Sequence, residues 1–364
     1  SIINTDMAEK TTQLEVSRLL TKAVQMGAQV MHLQPGALPV IRISGELRSL
    51  QDEVIVTVEM VQSMFDFLAL PIHKEHLERD RQVIFSTELD NHQRVILRAE
   101  WERGRLVVSV QFIHAKIHTF QELAVPPVVE RIAQKESGLF IISGPFDSGK
   151  TSLWTSIIET INTNLTKRIV TIESPIEHVF VNKKSFIEQR EIGRDVTSWA
   201  AGARGVKETD VDLLGVSDCT SGEQLKEIIN VSEGKTLVIM IMESLSVVHA
   251  LDILQGYFTA EEQSSWRAAL ARATEAIVNL RLLPRVGGGR VMAYEVYAKA
   301  LTTQSLVSQG SFSQLPNAMH TASQEGMQTL DSALVALVRA GSVLPEHALA
   351  ESQNPDQLKS MFGK

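Results

Sequence analysis

Eight consecutive residues, Gly144-Pro145-Phe146-Asp147-Ser148-Gly149-Lys150-Thr151, carry the most specific chemistry in the chain. They fit the pattern G-x-x-x-x-G-K-[S/T]. An apolar run, Gly138 to Ser143, predicts a strand before them, and Thr151 to Thr163 predicts a helix after them. In that context glycines let backbone N–H groups close around phosphate oxygens at a helix N-terminus. The pattern assigns Gly144, Ser148, Gly149, Lys150, Thr151 and Ser152 to a nucleoside triphosphate, with Lys150 on the β and γ phosphates and the Thr151 hydroxyl on Mg²⁺. ATP or ADP with Mg²⁺ is therefore the expected cofactor; the competing reading is a chance match. Phe146 and Asp147 stand where small residues usually let backbone approach phosphate. A carboxylate there opposes a polyanion, although Asp accepts left-handed backbone geometry. The expectation is binding that is weakened, or absent.

Such a loop must be held at the end of a strand, and the pattern beyond residue 127 supplies one. Arg168 to Glu173, Val211 to Val216 and Thr236 to Met242 read as further strands separated by helical stretches, an α/β domain with a mostly parallel sheet. After Gly287-Gly288-Gly289 a mainly helical tail is expected. The preceding part differs. Residues 13–28 predict a helix with Leu14, Val16, Leu19, Leu20 and Ala23 on one face. Leu38 to Ile43, Val54 to Val56, Gln82 to Ser86, Gln93 to Ala99 and Arg105 to Ile113 predict strands, and Val58 to Leu70 a helix stopped by Pro71. That is a small α+β domain with an antiparallel sheet. His114 to Pro127 reads as a linker, which gives domains 1–115 and 116–364.

Of the 364 residues 44% are hydrophobic and 21% charged, a globular balance, and the net charge of −8 argues against nucleic acid as the main partner. A single cysteine, Cys219, excludes an internal disulfide and suits a reducing compartment. No apolar run approaches the roughly 20 residues of a membrane span, and the first residues lack the pattern of a signal peptide. A soluble cytosolic protein is expected.

Several longer segments are similar to the signatures of one family. Thr171-Ile172-Glu173-Ser174-Pro175-Ile176-Glu177, followed by Phe186 to Asp195, resembles that family's Asp box. Gly287-Gly288-Gly289-Arg290-Val291 with Tyr294-Glu295-Val296, and Gly326-Met327-Gln328-Thr329-Leu330-Asp331, resemble two more of its signatures. Met31-His32-Leu33 and Ile41-Arg42-Ile43-Ser44-Gly45-Glu46-Leu47 match at the amino-terminal end. The family that these segments resemble is that of the PilT-type pilus retraction ATPases, and the likeness runs from about residue 13 to 348. It implies a PAS-like domain, a RecA-like domain and a ring, usually of six subunits, at the inner membrane. It also implies ATP held between the two domains of one subunit and completed by amino-terminal arginines.

Four motifs depart from the family pattern. The Walker B segment is Glu208 to Asp218, where the water-activating glutamate falls on Ser217; Asp218, one position on, is expected to point to the other face of a strand. The second histidine of the His box becomes Glu243. Gln111 stands at an expected arginine, with Arg103 and Arg105 nearby, and Thr302 to Val307 lacks the arginine of the carboxy-terminal signature. Glu173 and Glu177 remain as candidate general bases, against the plainer reading of two solvated or salt-bridged carboxylates. Asp210 and Asp212 are candidates for outer Mg²⁺ contacts. His32 reads as a hydrogen-bonded core histidine, Met240 and Met242 as strand core, and Lys183-Lys184 as a solvated turn.

Two functions follow. One is a nucleotide-binding but hydrolysis-deficient ring protein, an accessory or regulatory subunit that works with a paralogous pilus ATPase or an inner-membrane platform protein. The other is an active ATP-hydrolysing retraction motor.

Overall fold

The computed structural model describes residues 2–43, 46–89, 93–113 and 116–362, with side chains from residue 14 onward. Ser44-Gly45 of the I-R-I-S-G-E-L segment and His114-Ala115 of the expected linker lie outside the described residues. The chain divides into two compact units: Ser1–Lys116 with Ser174–Val179, and Ile117–Glu173 with Phe180–Lys364.

The first unit runs α1 (Ile2–Gln25), β1 (Val30–Leu33), β2 (Val40–Ile43), β3 (Glu46–Ser49), α2 (Val58–Leu68), α3 (Pro71–Asp80), β4 (Gln82–Glu88), β5 (Arg94–Glu102) and β6 (Arg105–Phe112). Its six strands pair antiparallel in the order β3-β2-β1-β6-β5-β4. Alternate residues of β6, Leu106, Val108, Val110 and Phe112, are buried with Leu19, Leu20 and Phe65 from the helices.

Four local expectations are corrected here. Helix α1 buries Val16, Leu19, Leu20 and Ala23, but Leu14 is 72% exposed, because two residues before Val16 is the opposite side of a helix. Pro71 does not merely end a helix: it opens α3 at a position whose N–H would be unbonded anyway. Residues 54–56 form no strand; Val56 alone is buried there. Strand β3 escaped the sequence reading because all four of its residues are exposed, leaving no apolar alternation.

The second unit runs α4 (Phe120–Leu123), α5 (Pro127–Ile132), β7 (Gly138–Gly144), α6 (Lys150–Asn164), β8 (Arg168–Glu173), β9 (Phe186–Glu191), α7 (Trp199–Lys207), β10 (Leu213–Val216), α8 (Gly222–Ser232), β11 (Leu237–Glu243), α9 (Val247–Gly256), α10 (Ala260–Ala273), β12 (Thr274–Pro284), β13 (Arg290–Ala298), α11 (Leu301–Gln309), α12 (Leu315–Thr321), α13 (Leu330–Arg339), α14 (Pro345–Glu351) and α15 (Pro355–Phe362). Seven strands form one sheet, β13-β12-β7-β11-β10-β8-β9, parallel except for the β12–β13 pair. Helices cover both faces, so β7 is buried at every position and reads as a continuous apolar run. Leu139 and Ile141 pack with residues of α7 to α10, while Phe140 and Ile142 pack with Leu153, Trp154 and Ile157 of α6.

The expected helical tail after residue 289 begins instead with strand β13. Gly287, Gly288 and Gly289 all take positive φ and make the turn from β12. The Gly326-to-Asp331 signature has a structural role. Gln328 bridges Val296 through both backbone groups (2.8 and 3.1 Å), donates its amide to Tyr294 O at 2.7 Å, and leads into Thr329, the cap of α13. Helices α13 to α15 close a small core of their own with Leu283 and Ala293.

Candidate functional site

Strand β7 delivers Gly144 and helix α6 begins at Lys150, so the intervening loop is a strand-to-helix turn. Gly149 caps the helix at φ +94°, and a Cβ there would lie 2.4 Å from Met292 Cε; one on Gly144 would lie 2.3 Å from Ser148 Oγ. Asp147 takes the left-handed conformation at φ +58°. Ser148 is buried, and its hydroxyl has no hydrogen-bond partner. An unpaired buried hydroxyl costs about 1–3 kcal/mol, so this loop is shaped to receive an oxygen-rich ligand. Phe146 is 88% exposed and does not fill the loop.

Lys150 Nζ donates to Pro145 O at 2.6 Å. Burial pushes the pKa of this lysine down; Glu243, Asp218 and Asp147 oppose that shift, and Arg281 adds to it. Asp147 is not an unbalanced negative charge, because Arg290 Nη1 pairs with its Oδ2 at 2.9 Å. Arg290 opens β13 directly after the glycine turn. Thr151 and Ser152 lie in the first turn of α6, and their carbonyls accept from the Thr155 hydroxyl at 2.9 and 3.2 Å.

The parallel register places Glu243 opposite Gly144, and Ser244 N donates to Gly144 O at 3.2 Å. Strand β10 stops at Val216. Ser217 and Asp218 therefore sit in the loop beyond it, where strand alternation no longer applies, which corrects the expectation that Asp218 faces away. Its carboxylate belongs to the Lys150 surroundings: burial raises its pKa first, Glu243 raises it further, and a hydrogen bond from Cys219 N and the lysine lower it. Asp218 and Arg290 thus stand at the site, a role the motif reading did not give them although both lie within quoted segments; only their charge signalled it.

Other candidates fall elsewhere. Asp212 accepts from Arg168 N at 2.8 Å and Asp210 pairs with the Arg168 side chain. Both lie where β8 begins, the opposite end of the parallel sheet from the loop, so neither is an outer Mg²⁺ contact. Glu173 ends β8, is 2% exposed, and accepts from Thr171 Oγ1 at 2.6 Å and Gln189 Nε2 at 3.0 Å. Glu177 lies in residues 174–179 of the first unit, and burial raises its pKa. Neither is a solvated carboxylate. Gln111 is exposed on β6, Arg103 and Arg105 flank the β5–β6 turn, and Thr302 to Val307 lie on α11. His32 Nδ1 bonds Ser109 Oγ at 2.8 Å, and Met240 and Met242 are buried strand core. Lys183 is not simply solvated, since it pairs with Glu159. Among the described residues, no helix is long and apolar enough to cross a membrane.

A family model for Type II/IV secretion system proteins matches residues 15–190. The type IV pilus ATPase PilT of Pseudomonas aeruginosa is 27% identical over 346 residues, 94% of this chain and 99% of its own length. A twitching motility protein of Neisseria gonorrhoeae is 29% identical over 325 residues, 88% of this chain and 86% of its own. The crystal structure of the pilus retraction motor PilT with bound ADP matches with a TM-score of 0.85 at 28% identity, covering 94% of this chain and 98% of that one. Signature segments along both units, a phosphate loop at a parallel strand end and these likenesses agree: over nearly its whole length the chain is similar to the PilT-type type IV pilus retraction ATPases, with an amino-terminal domain ahead of a RecA-like ATPase domain.

Proposed function

We propose that this chain is a ring-forming pilus protein of the cytoplasmic face that binds nucleotide but hydrolyses it little or not at all. It then serves as an accessory or regulatory subunit of the retraction machinery, working with a paralogous pilus ATPase or an inner-membrane platform protein. In this reading residues 1–115 are the PAS-like domain and residues 116–364 the RecA-like domain. Gly144, Ser148, Gly149, Lys150, Thr151 and Ser152 fit a phosphate group: the glycine positions admit no Cβ and the Ser148 hydroxyl awaits a partner. ATP with Mg²⁺, when bound, supplies a transferable phosphoryl group. Lys150 would hold phosphate oxygens and Thr151 the cation. Asp147 weakens that binding, and the Arg290 pair offsets part of its charge.

The observation that carries the deficiency is the make-up of the strand ends. Ser217 stands where the family activates water, and Glu243 puts a negative charge opposite Gly144. A serine does not deprotonate water as a carboxylate does, and a general base is commonly worth about 10²-fold or more. Phosphoryl transfer depends on neutralising charge over the phosphate oxygens, which Glu243 opposes. Purified protein is expected to release phosphate from ATP no faster than its Lys150→Ala variant.

One observation favours the working-motor reading. Asp218 lies among the charges around Lys150 and could take the place of the missing glutamate. A wild-type rate of about 1 s⁻¹ that vanishes in both Lys150→Ala and Asp218→Asn would overturn the deficient reading in its favour.

A further inference from the structure

Arg281 lies near the end of β12 with a side chain only 7% exposed. A buried guanidinium has five N–H donors to satisfy and no way to shed its charge. Here Nη1 donates to Asn279 Oδ1 at 2.8 Å and Leu280 O at 2.9 Å, and Nη2 donates to Leu245 O. A fourth donor, Nε, meets Glu351 Oε2 at 3.1 Å. Each partner leads somewhere different. Leu245 follows Ser244, whose amide is bonded to Gly144 of the phosphate loop at 3.2 Å. Asn279 is fully buried and donates to Ser143 Oγ at 2.9 Å and Ser244 Oγ at 3.0 Å, joining β7 to the same segment. Glu351 is the last residue of α14 and lies in the carboxy-terminal helical layer. An unbroken path of polar contacts therefore runs from Glu351 through Arg281 to the strand end that carries Glu243 and the first residue of the phosphate loop.

We propose that Arg281 is a positioning residue through which helices α13 to α15 set the geometry of the phosphate loop, with Glu351 as their handle. The proposal rests on the nucleotide-site reading above and adds regulation of that site from the carboxy-terminal layer. Glu351 is the only carboxylate bonded to the Arg281 side chain among the described residues, and its own side chain is 41% exposed. A partner that engaged this end of α14 would compete for it directly. Without it the buried cation would keep amide and carbonyl acceptors and only the Glu295 carboxyl, not bonded to it, as a countercharge, a costly state that is relieved by moving the side chain. Any such move releases Leu245 O and Asn279 Oδ1, and with them the segment 243–246.

Hydrogen exchange and nucleotide binding test this in the full chain. In nucleotide-free protein, Glu351→Gln should speed exchange at Ser244, Leu245 and the loop 144–150, with β8 and β10 unaffected. Binding of ADP with Mg²⁺ should weaken about fivefold or more. Arg281→Lys keeps the charge but loses the fork, and should reproduce both effects. Glu346→Gln, exposed on the same helix, should reproduce neither. Faster exchange spread over the whole sheet would mean general destabilisation and overturn the proposal, as would unchanged exchange at 244–245 or tighter ADP binding in Glu351→Gln. If wild type binds ADP no better than Lys150→Ala, the nucleotide reading fails by itself, and the exchange measurement still decides whether Glu351 controls the loop.

Discussion

Glu295 is a carboxylic acid folded into an apolar layer, 3% exposed, where Val247 N at the start of α9 donates to it at 2.9 Å. Burial raises its pKa from the ordinary 4.5 to about 7; the Val247 bond and Arg281 work against that rise and Asp331 adds to it. The folded chain thus binds a proton here that the unfolded chain has already released, and the linkage has a definite sign. Stability from this group is fully present below about pH 4.5 and declines as pH rises, until about pH 7. A shift of this size corresponds to about 3 kcal/mol. Glu295→Gln keeps an acceptor for Val247 N and removes the titration. Thermal midpoints of the variant are expected to gain on wild type between pH 5 and pH 8, by several degrees for a unit of this size; parallel curves would show that the carboxyl is not the titrating group. Tyr294-Glu295-Val296 was legible as a signature segment, but its burial was not, because the strand carrying it was hidden in an expected helical tail. Asp218 was misread for a related reason: an alternation rule was applied past the point where the strand stops.

At the scale of elements, the phosphate-loop helix and the strand leading to Ser217 are locked by one close approach. Trp154 of α6 is 1% exposed, and its indole N–H donates to Ile239 O at 3.3 Å. A Cβ on Gly215 of β10 would lie 2.7 Å from Trp154 Cζ2 and 3.2 Å from Ile158 Cδ1. Overfilling such a contact typically costs about 1–3 kcal/mol. Gly215→Ala should lower the denaturation midpoint accordingly, and adding Trp154→Phe should recover part of the loss. If the alanine is neutral and the double variant is the worse of the two, the helix and strand are not packed in this way. The strands β7, β8, β10 and β11 were readable because each is a short apolar run between turn signals. Strand β12 was less so: Asn279 and Arg281 interrupt its apolar run, and those two polar residues are the ones that tie the strand ends together. The stretch His114 to Pro127, read as linker, contains a real helix in Phe120–Leu123, because Thr119 and Glu122 form a capping box that the prolines overshadowed.

For the whole molecule, the question is what two folded units leave undone. The first unit exposes Leu47, Val54, Ile55 and Val58, and the second exposes Val181, Phe186 and Leu301. Large apolar side chains in such numbers, on a chain with net charge −8, suit a surface that is covered by another protein. A ring needs one interface repeated head to tail, in which different patches of the same chain meet and the rotation closes. The expected outcome is therefore a closed oligomer, usually six subunits by family resemblance, at tens of micromolar protomer, with its population set by concentration. Multi-angle light scattering checks this directly. A mass staying at 40.3 kDa across that range, with and without ADP, would remove self-assembly from the proposal. Ile55→Asp and Phe186→Asp each place a charge on one exposed apolar patch, Ile55 beside Val54 in the first unit and Phe186 on the edge strand β9 in the second. Both positions are already more than half exposed, so neither change should lower the thermal midpoint of the protomer. Either one should dissociate a head-to-tail ring if its patch lies in the interface. If both variants assemble as wild type does, those patches face something other than a second copy, and the paralogous pilus ATPase becomes the partner to add to the same measurement.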